Sequence, residues 1–449
     1  METMLFAEQA LLPKGWARDV RLGLAGGVIA AVEAGAARQA GDIAVGAVIP
    51  GIANLHSHAF QRAMAGLTER RGPTADSFWT WRDLMYRFAL DLDPDQMQAV
   101  AEMAYVEMLE AGFTRVGEFH YLHHDRDGRP YADPAEMSLR ILAAAEGAGI
   151  ALTHLPVFYA HSDFGGAAPG DGQRRFIHDL DAFLRLTERL CAAMTRPLDR
   201  LGIAPHSLRA ATEEEVRALV AAHPGCPVHI HVAEQMREVE DSVAHSGLRP
   251  VEVLLNRIGI DARWCLIHAT HLTDAERRGI AASGAVAGLC PVTEANLGDG
   301  LFPARDFLTD GGCFGVGSDS NVEISLREEL KILEYGQRLF SRGRNVLAEG
   351  SGSTGGALLR GALSGGAQAL GAPAPELAAG ASADLVVLRD TVGLRAGGDR
   401  ILDRWIFGAD VAVDQVWVGG ARVVSGGRHR DRDRIAGAYA KVLAGLVDG

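Results

Sequence analysis

Two histidines separated by a single residue, His56 and His58, stand directly after an apolar segment of the chain. If residues 52–58 are extended, both imidazoles point to one face, because side chains alternate along a strand. Two neutral nitrogen donors at the end of a buried strand suit a borderline-soft divalent cation such as zinc. A His-x-His pair also occurs where two histidines merely line a sheet face, so this pair alone leaves both interpretations open.

Further polar residues follow at the ends of other apolar segments. His231 ends a β-branched segment and has Glu234 three residues beyond it, His268 ends a third apolar segment, and Asp319 ends a fourth, which is rich in small residues. Strands that each stop at a histidine or a carboxylate are typical of a barrel of parallel strands, whose C-terminal rim collects polar groups. The pattern therefore predicts one polar site at the rim of such a barrel.

Other interpretations of these segments are weaker. His229 shares a strand face with His231, but the His-x-x-Glu spacing runs from His231 to Glu234. We therefore expect His229 to be a hydrogen-bonded residue that lines the barrel. Ser57 and Ser318 lack the Gly-x-Ser-x-Gly pattern of a nucleophilic serine. The glycines of residues 311–317 lack the Gly-x-Gly-x-x-Gly spacing of a dinucleotide site, and their segment leads to a carboxylate.

The rest of the chain has the organisation that such a site needs. From residue 49 to 372, apolar segments alternate with helical patterns, which predicts βα units and an α/β fold of the TIM (β/α)8 barrel type. Residues 1–48 and 373–449 read as strands, with a hairpin about Gly419-Gly420, and predict a small β-sandwich domain built from both termini. The glycine-rich residues 350–356 are expected to be a loop before the last barrel helix. Helices are expected at 94–112, 133–149 and 212–223.

Composition narrows the class of function. The chain has 449 residues, is 48% hydrophobic and carries a net charge of −13, so it can bury a large core and is not expected to bind nucleic acid or anionic membranes. Its five cysteines include no Cys-x-x-Cys pair, and we find no signal peptide or membrane span, which together predict a reduced cytoplasmic protein. An anionic substrate would have to be held by local arginines.

The motifs together resemble a known family. The order His-x-His, His-x-x-Glu, His and Ser-Asp is similar to that of the amidohydrolase superfamily, in particular its single-metal deaminases, and the resemblance covers nearly the whole chain. Three further segments, residues 54–66, 76–82 and 118–124, resemble the formimidoylglutamate deiminase family of histidine degradation. The metal motifs indicate the superfamily, and the three segments indicate the member family.

The resemblance implies a ligand set and a mechanism. His56, His58, His231 and Asp319 would hold one Zn²⁺ per chain, which activates a water molecule for attack. Glu234 would take a proton from that water and pass it to the departing nitrogen. His268 would hydrogen-bond the attacking water and stabilise the tetrahedral intermediate, and Asp319 would serve both as ligand and as catalytic residue.

The resemblance also implies a substrate. Hydrolysis of N-formimino-L-glutamate would give N-formyl-L-glutamate and ammonia. Its two carboxylates would need Arg82 and Arg209, because planar guanidinium groups match carboxylates bidentately. Gln61, Tyr121 and His206 match positions that complete the substrate pocket. A homodimer is expected from the family alone.

Three alternatives remain open from the sequence. A nucleobase deaminase would use the same metal set, but its flat pocket would not need two carboxylate-binding arginines. Another amidohydrolase that acts on a small guanidino, amidine or formamide substrate is harder to distinguish. A non-catalytic barrel with structural zinc would have a closed four-ligand metal site and would tolerate Glu234→Gln.

Overall fold

The computed structural model describes residues 3–69, 78–394 and 397–447. Asp76 and Ser77, the first two residues of the segment 76–82 singled out above, lie outside the described residues. The remaining five residues of that segment begin the first α-helix.

Strands from both ends of the chain form one sheet. Its eight strands are hydrogen-bonded in the order β17-β16-β15-β14-β4-β1-β2-β3. Their bounds are β1 (Thr3–Leu12), β2 (Gly15–Ala25), β3 (Val28–Glu33), β4 (Ile43–Pro50), β14 (Leu385–Asp390), β15 (Val411–Val418), β16 (Ala421–Ser425) and β17 (Arg428–His429). The hairpin expected about Gly419-Gly420 joins β15 to β16. Buried side chains on these strands form most of a separate apolar core, which includes Leu5 and Leu22.

The segment between these strands forms the barrel. Its strands are β5 (Ile52–Ser57), β6 (Phe113–His120), β7 (Ala151–Phe158), β8 (Arg200–Leu201), β9 (Ala204–Pro205), β10 (Val228–Val232), β11 (Trp264–His268), β12 (Val286–Leu289) and β13 (Cys313–Val316). They pair in parallel as two sheets, β5 to β9 and β10 to β13. Two isolated parallel bridges, Ile203 to Val228 and Ser57 to Asp319, join the sheets at their two edges and close the barrel.

Helices follow most of the barrel strands and cover them. Their bounds are α1 (Phe78–Asp91), α2 (Pro94–Glu110), α3 (Glu136–Ala148), α4 (Leu180–Ala193), α5 (Glu213–Ala222), α6 (Met236–Ser246), α7 (Pro250–Val253), α8 (Asp274–Ser283), α9 (Pro291–Leu297), α10 (Ala304–Thr309), α11 (Leu326–Ser341), α12 (Thr354–Ala369), α13 (Arg400–Phe407) and α14 (Arg432–Val447). The three helices expected from the sequence are α2, α3 and α5. Capping boxes at Asp93 and Thr212 fix the starts of α2 and α5.

The last barrel helix begins earlier than expected. We expected a loop through residue 356, but α12 begins at Thr354, because the Ser353 hydroxyl accepts the Gly356 N–H and caps the helix. Glycines then let this helix pack tightly onto the strands that close the barrel. A Cβ added at Gly365 would lie 1.9 Å from the carbonyl oxygen of Phe314 in β13. Glycine at this position is therefore required by the close approach of helix and strand.

The fold class predicted from the sequence, a TIM barrel with a small β-sandwich from both termini, is confirmed. The exact division of the chain at residues 48 and 373 stays a prediction. The C-terminal segment also reaches the barrel, since Arg432 and Arg434 of α14 bond Glu110 and Glu102 of α2 at 2.8 Å each. Among the described residues, no helix combines the length and apolar character needed to cross a membrane.

Candidate metal centre and active site

Four barrel strands bring their polar ends to the same rim. His56 lies within β5 and His58 directly after it, His231 lies near the end of β10, and His268 is the last residue of β11. Asp319 follows β13 at the barrel closure. Parallel strands place their carboxyl ends on one side of the barrel, so residues far apart in sequence meet there.

His56, His58, His231 and Asp319 form one buried cluster. Each offers a ligand atom that lies within 4.8 Å of the other three. The His231 and His56 Nε2 atoms are 3.1 Å apart, and the Asp319 Oδ1 atom is 3.4 Å from His56 Nε2 and 3.3 Å from His58 Nε2. Donors around a tetrahedral zinc ion at ~2.1 Å stand about 3.4 Å from one another. The donor types and their spacing therefore fit a zinc ion.

Two of these imidazoles are oriented by the backbone. The Nδ1 atoms of His58 and His231 lie 2.9 Å and 3.2 Å from the carbonyl oxygens of Phe119 and His206, so each ring can donate Nδ1–H and present an Nε2 lone pair. Ligating histidines are commonly held in this way. Burial lowers the pKa of both residues, and lowers that of His56 to about 3. The rings are thus neutral, as metal ligands must be.

The carboxylate of the cluster is fixed at the barrel closure. The Asp319 backbone accepts the His58 N–H at 2.9 Å and donates to the His56 carbonyl at 3.0 Å, so two ligand-bearing strands are tied together there. Burial alone would raise the pKa of Asp319, but its hydrogen bond to His56 and the nearby histidines lower it. The residue has a left-handed φ of 45°, which turns the chain out of the strand direction at the ligand.

A second group of charged residues adjoins the cluster. The Nε2 atom of His268 lies 3.6 Å from Glu234 Oε1 and 3.8 Å from Asp319 Oδ2, while its Nδ1 atom faces Glu294 Oε1 at 3.3 Å. Burial raises the pKa of Glu234 to about 7, although His268 opposes the shift. Burial would lower the pKa of His268, but Glu234, Glu294 and Asp319 raise it. Glu234 and His268 can therefore hold and move protons beside the cluster.

One pocket opens over both groups. All five residues predicted to bind substrate line it together with Glu234, His268, Asp319 and two of the histidine ligands; His56 lies beneath, fully buried. Gln61 Nε2 donates to the Tyr121 hydroxyl at 2.9 Å, and the Gln61 Oε1 atom is buried without a hydrogen-bond partner among the described residues. The wall also contains Phe78, Trp81, Met85, Tyr86, Tyr159, Phe176 and Leu297.

The two arginines of this pocket are not neutralised by close carboxylates. The Nε atoms of Arg82 and Arg209 are both buried without a hydrogen-bond partner among the described residues. Within the described part of the chain, no carboxylate approaches either guanidinium group closely enough to form an ion pair. Cations withdrawn from water without an ion-pair partner are costly, so this end of the pocket is suited to an anionic ligand.

Two protein-family models match this chain. The model of the amidohydrolase family matches residues 47–423, a span that contains every barrel strand and the four clustered ligands. The chain belongs to the amidohydrolase family. The model of the N-terminal domain of formimidoylglutamate deiminase HutF matches residues 2–44.

Members and structural neighbours of the amidohydrolase family cover the chain from end to end. Formimidoylglutamate deiminase from Pseudomonas aeruginosa is 53% identical over 450 residues, which is 99% of each chain. The crystal structure of an amidohydrolase from Brucella melitensis superposes with a TM-score of 0.97 at 57% identity, over 99% of this chain and 100% of that one. An adenosine deaminase from Xanthomonas campestris with bound zinc shares the fold, with a TM-score of 0.81 and 22% identity over 100% and 99% of the two chains.

These relationships confirm the resemblance and the class of enzyme predicted from the sequence. The chain is an amidohydrolase similar to formimidoylglutamate deiminase, and it is a hydrolase that acts on C–N bonds. The structure also brings every predicted site residue into one pocket or its floor. His229 lies apart from the cluster, with its Nε2 atom 2.7 Å from the Ala369 carbonyl oxygen, as we expected.

Sequence reasoning missed several pocket residues of this amidohydrolase. Glu294, which contacts the far nitrogen of His268, stands on α9 and has no motif that links it to β11. The wall residues Phe78 and Tyr86, both on α1, were likewise not predicted. The clustering of aromatic residues around Arg82 in the sequence was the one available signal for that wall.

Proposed function

We propose that this amidohydrolase is a zinc-dependent deiminase of N-formimino-L-glutamate. It would convert this substrate to N-formyl-L-glutamate and ammonia, a step of histidine degradation. The observation that carries the proposal is the pair of arginines, Arg82 and Arg209, which form no ion pair with any described residue and share a pocket with the buried cluster of three histidines and Asp319.

The two ends of the pocket complement the two ends of this substrate. Its glutamate part carries two carboxylates, which match two guanidinium groups that form no ion pair within the described residues. Its formimino group is cationic when protonated, and the carboxylates of Glu234 and Asp319 lie at the other end. The neutral His206 and Gln61, with its free Oε1 atom, can orient the substrate between these ends by hydrogen bonds.

The reaction then follows from the residues around the formimino carbon. Zinc, held by His56, His58, His231 and Asp319, would supply Lewis-acid chemistry and lower the pKa of the attacking water towards ~7. Glu234 accepts a proton from this water as it adds to the carbon and delivers a proton to the nitrogen that leaves as ammonia. Its pKa of about 7 suits both transfers near neutral pH.

His268 would act beside Glu234 without binding the metal. Its Nε2 atom faces Glu234 and Asp319, and Glu294 holds the opposite nitrogen, so the ring cannot turn without losing these contacts. An N–H group fixed in this position can donate to the oxygen that becomes negative when water adds. Glu294 thus positions His268, as carboxylates orient histidines in other hydrolases.

The alternatives are less well matched by the pocket. A nucleobase has no carboxylate, so it would leave Arg82 and Arg209 buried without partners. A small guanidino or amidine substrate with fewer carboxylates would leave one of them so. A non-catalytic barrel would not explain why Glu234 and His268 lie beside the ligand cluster, and it does not fit the enzyme family.

Metal content and ammonia release, measured together, test the proposal. Purified protein is offered N-formimino-L-glutamate, cytosine, guanine and N-formyl-L-glutamate separately. About one zinc per chain with ammonia from the first compound alone supports the proposal. Ammonia from a nucleobase instead would retain the C–N hydrolysis but overturn the role assigned to the arginines.

An Arg82→Ala variant tests carboxylate recognition directly. We expect kcat/KM for N-formimino-L-glutamate to fall by about 10² or more, because a charge-assisted bidentate contact is lost. Turnover of an uncharged formamidine should change much less. Equal losses on both compounds would remove Arg82 from carboxylate recognition.

The proposal also covers the assembly and the location of the enzyme. A homodimer and a cytoplasmic location stay predictions from the family resemblance and the cysteine content. The acidic net charge of −13 favours a small-molecule substrate over nucleic acid as the partner.

A further inference from the structure

Three arginines surround a single indole at the mouth of the pocket. The guanidinium carbons of Arg82, Arg237 and Arg209 lie 4.5, 4.6 and 5.9 Å from the centroid of the Trp79 ring. Arg82 and Arg209 line the pocket, whereas Arg237 does not. Arg237 is near the start of α6, three residues beyond Glu234, and its side chain is 63% exposed. It therefore stands on the solvent side of Arg82 and Arg209.

The protein compensates these three charges only in part. Burial would lower the pKa of Arg209, but Glu238 and Glu234 attract this residue and raise its pKa without forming an ion pair. Within the described chain, only Arg237 of the three forms an ion pair, with Asp241 at 3.5 Å, and that carboxylate is itself 42% exposed. An ion pair so open to solvent contributes little. The face of the indole offsets part of the repulsion by cation–π attraction. Arg82 and Arg237 nevertheless lie within about 9 Å of each other, because both contact the same ring.

This concentration of positive charge is opposite in sign to the net charge of the whole chain, which is −13. The net charge of the chain repels an approaching anion, whereas the three arginines attract it locally. A local field of one sign at the entrance of a cleft raises the rate at which oppositely charged ligands enter. The position of Arg237 is therefore suited to capture a ligand before Arg82 and Arg209 bind it.

We propose that Arg237, held by Trp79, is a third cationic residue of this site, which attracts dicarboxylate substrates to the pocket mouth and so contributes to substrate selection. The inference rests on the proposed function and extends it to a residue outside the pocket wall. Arg237 would act through charge, with Trp79 as its positioning residue, and would make no contact with the formimino group. Its contribution should be screened by salt, because the Debye length is only ~8 Å at physiological ionic strength.

A merely structural role for Arg237 makes a different prediction. If the Arg237 to Trp79 contact serves only to pack α6 against α1, its loss would weaken ligand binding equally at low and high salt. A lysine could not replace the stacking of a planar guanidinium group, but it would keep the charge. Salt dependence and the behaviour of Arg237→Lys thus separate the two roles.

The test measures binding of glutarate, a dicarboxylate without a reacting group, by calorimetry with the metal-loaded enzyme. Variants Arg237→Gln and Arg237→Lys are compared with wild type and with Arg428→Gln. Arg428 is a matched control on β17, because its side chain is 59% exposed and it pairs with a nearby carboxylate, Asp433. Each Gln variant changes the net charge of the chain by the same amount.

We expect Arg237→Gln to raise the glutarate Kd about fivefold at low ionic strength and less than twofold at ~0.5 M salt. Arg237→Lys should keep most of the affinity, and Arg428→Gln should match wild type. In turnover of N-formimino-L-glutamate, the loss in Arg237→Gln should fall on KM rather than on kcat.

Two results would overturn the inference: equal Kd values for Arg237→Gln and Arg428→Gln at low salt, or a loss in Arg237→Gln that high salt does not reduce. Failure of the proposed function would look different. The wild-type enzyme would then release no ammonia from N-formimino-L-glutamate, while the glutarate measurements would still decide the role of Arg237.

Discussion

Replacing Glu234 with glutamine removes one proton-transfer group and changes little else. The two side chains have nearly the same volume, and Glu234 is buried, 6% exposed, between the metal cluster and His268. It is not among the four clustered ligands. Glutamine cannot accept a proton from water or deliver one to the leaving nitrogen, so the substitution isolates the acid–base role from metal binding.

The expected loss follows from the position and the pKa of this carboxyl. A residue with a pKa of about 7 is present in both protonation states near neutrality, which is the condition for efficient transfer in both directions. General acid–base catalysis contributes a factor of about 10² to 10⁴, or ~3 to 5 kcal/mol of the activation barrier. The Glu234→Gln variant should also lose the attraction between the carboxylate and His268 at 3.6 Å. We therefore expect kcat to fall by about 10³.

The assay follows ammonia release under saturating N-formimino-L-glutamate, with bound zinc measured on the same preparation. Glu240→Gln, an exposed residue on the same helix as Arg237, is the matched control and should behave as wild type. The variant should hold the same zinc as wild type and unfold within a few degrees of it. A Glu234→Gln enzyme with full zinc and more than a tenth of wild-type kcat would refute the proton-transfer role.

Three further predictions concern the metal, the barrel closure and the β-sandwich. Removing metal with a chelator should lower the thermal unfolding temperature, and zinc should restore it. The reason is that a ligand that binds only the folded chain stabilises it by about 2.7 kcal/mol at a hundred times its Kd. An unchanged unfolding temperature would contradict a four-ligand site. Gly317→Ala should lose zinc and stability, because its Cβ would lie 2.7 Å from the His56 carbonyl oxygen. The control Gly437→Ala, whose Cβ would have nothing within 4 Å, should be neutral or stabilising. Retention of full zinc by Gly317→Ala would show that the strands can move apart. The Asp390 carboxylate accepts two hydrogen bonds from Arg404, at 2.7 and 2.9 Å, and these bonds lower the pKa of Asp390. The stabilisation by this pair is therefore present above the unfolded-state pKa of ~3.9 and is lost as the pH falls below that value. Asp390→Asn should therefore be less stable than wild type in denaturant titrations at pH 7, by a difference that shrinks towards pH 3, and a difference independent of pH would exclude this explanation.

The ligands could be predicted from the sequence because their geometry is local. His56 and His58 share a face through the two-residue period of a strand, and each ligand ends an apolar segment that the parallel barrel brings to one rim. Glu234 follows from its spacing to His231. Arg82 and Arg209 were found only by resemblance to a family, since neither stands in a segment whose periodicity places it beside the cluster.

The rest of the site depends on contacts between elements far apart in the chain. Glu294 reaches His268 only because α9 packs at the end of β12, and the distance of 3.3 Å between them has no counterpart in sequence spacing. Arg237 stacks on Trp79 across 158 residues of chain, and neither residue belongs to a motif that indicates the other. The start of α12 was placed too late because glycine content predicted a loop where the Ser353 cap begins a helix.

The position of the ligands explains why metal binding and folding should be coupled in this enzyme. His56 lies in the first barrel strand, His58 comes directly after it, and Asp319 follows the last strand. One isolated bridge, from Ser57 to Asp319, joins the two edges at that level. The strand pairs β11 with β12 and β12 with β13 are held by longer ladders of backbone hydrogen bonds. An ion held by both edges would link them where backbone hydrogen bonding is sparse. Without the ion, the ligand atoms of the three buried imidazoles and the carboxylate contact mainly one another. We therefore expect this closure to open more readily in the metal-free enzyme.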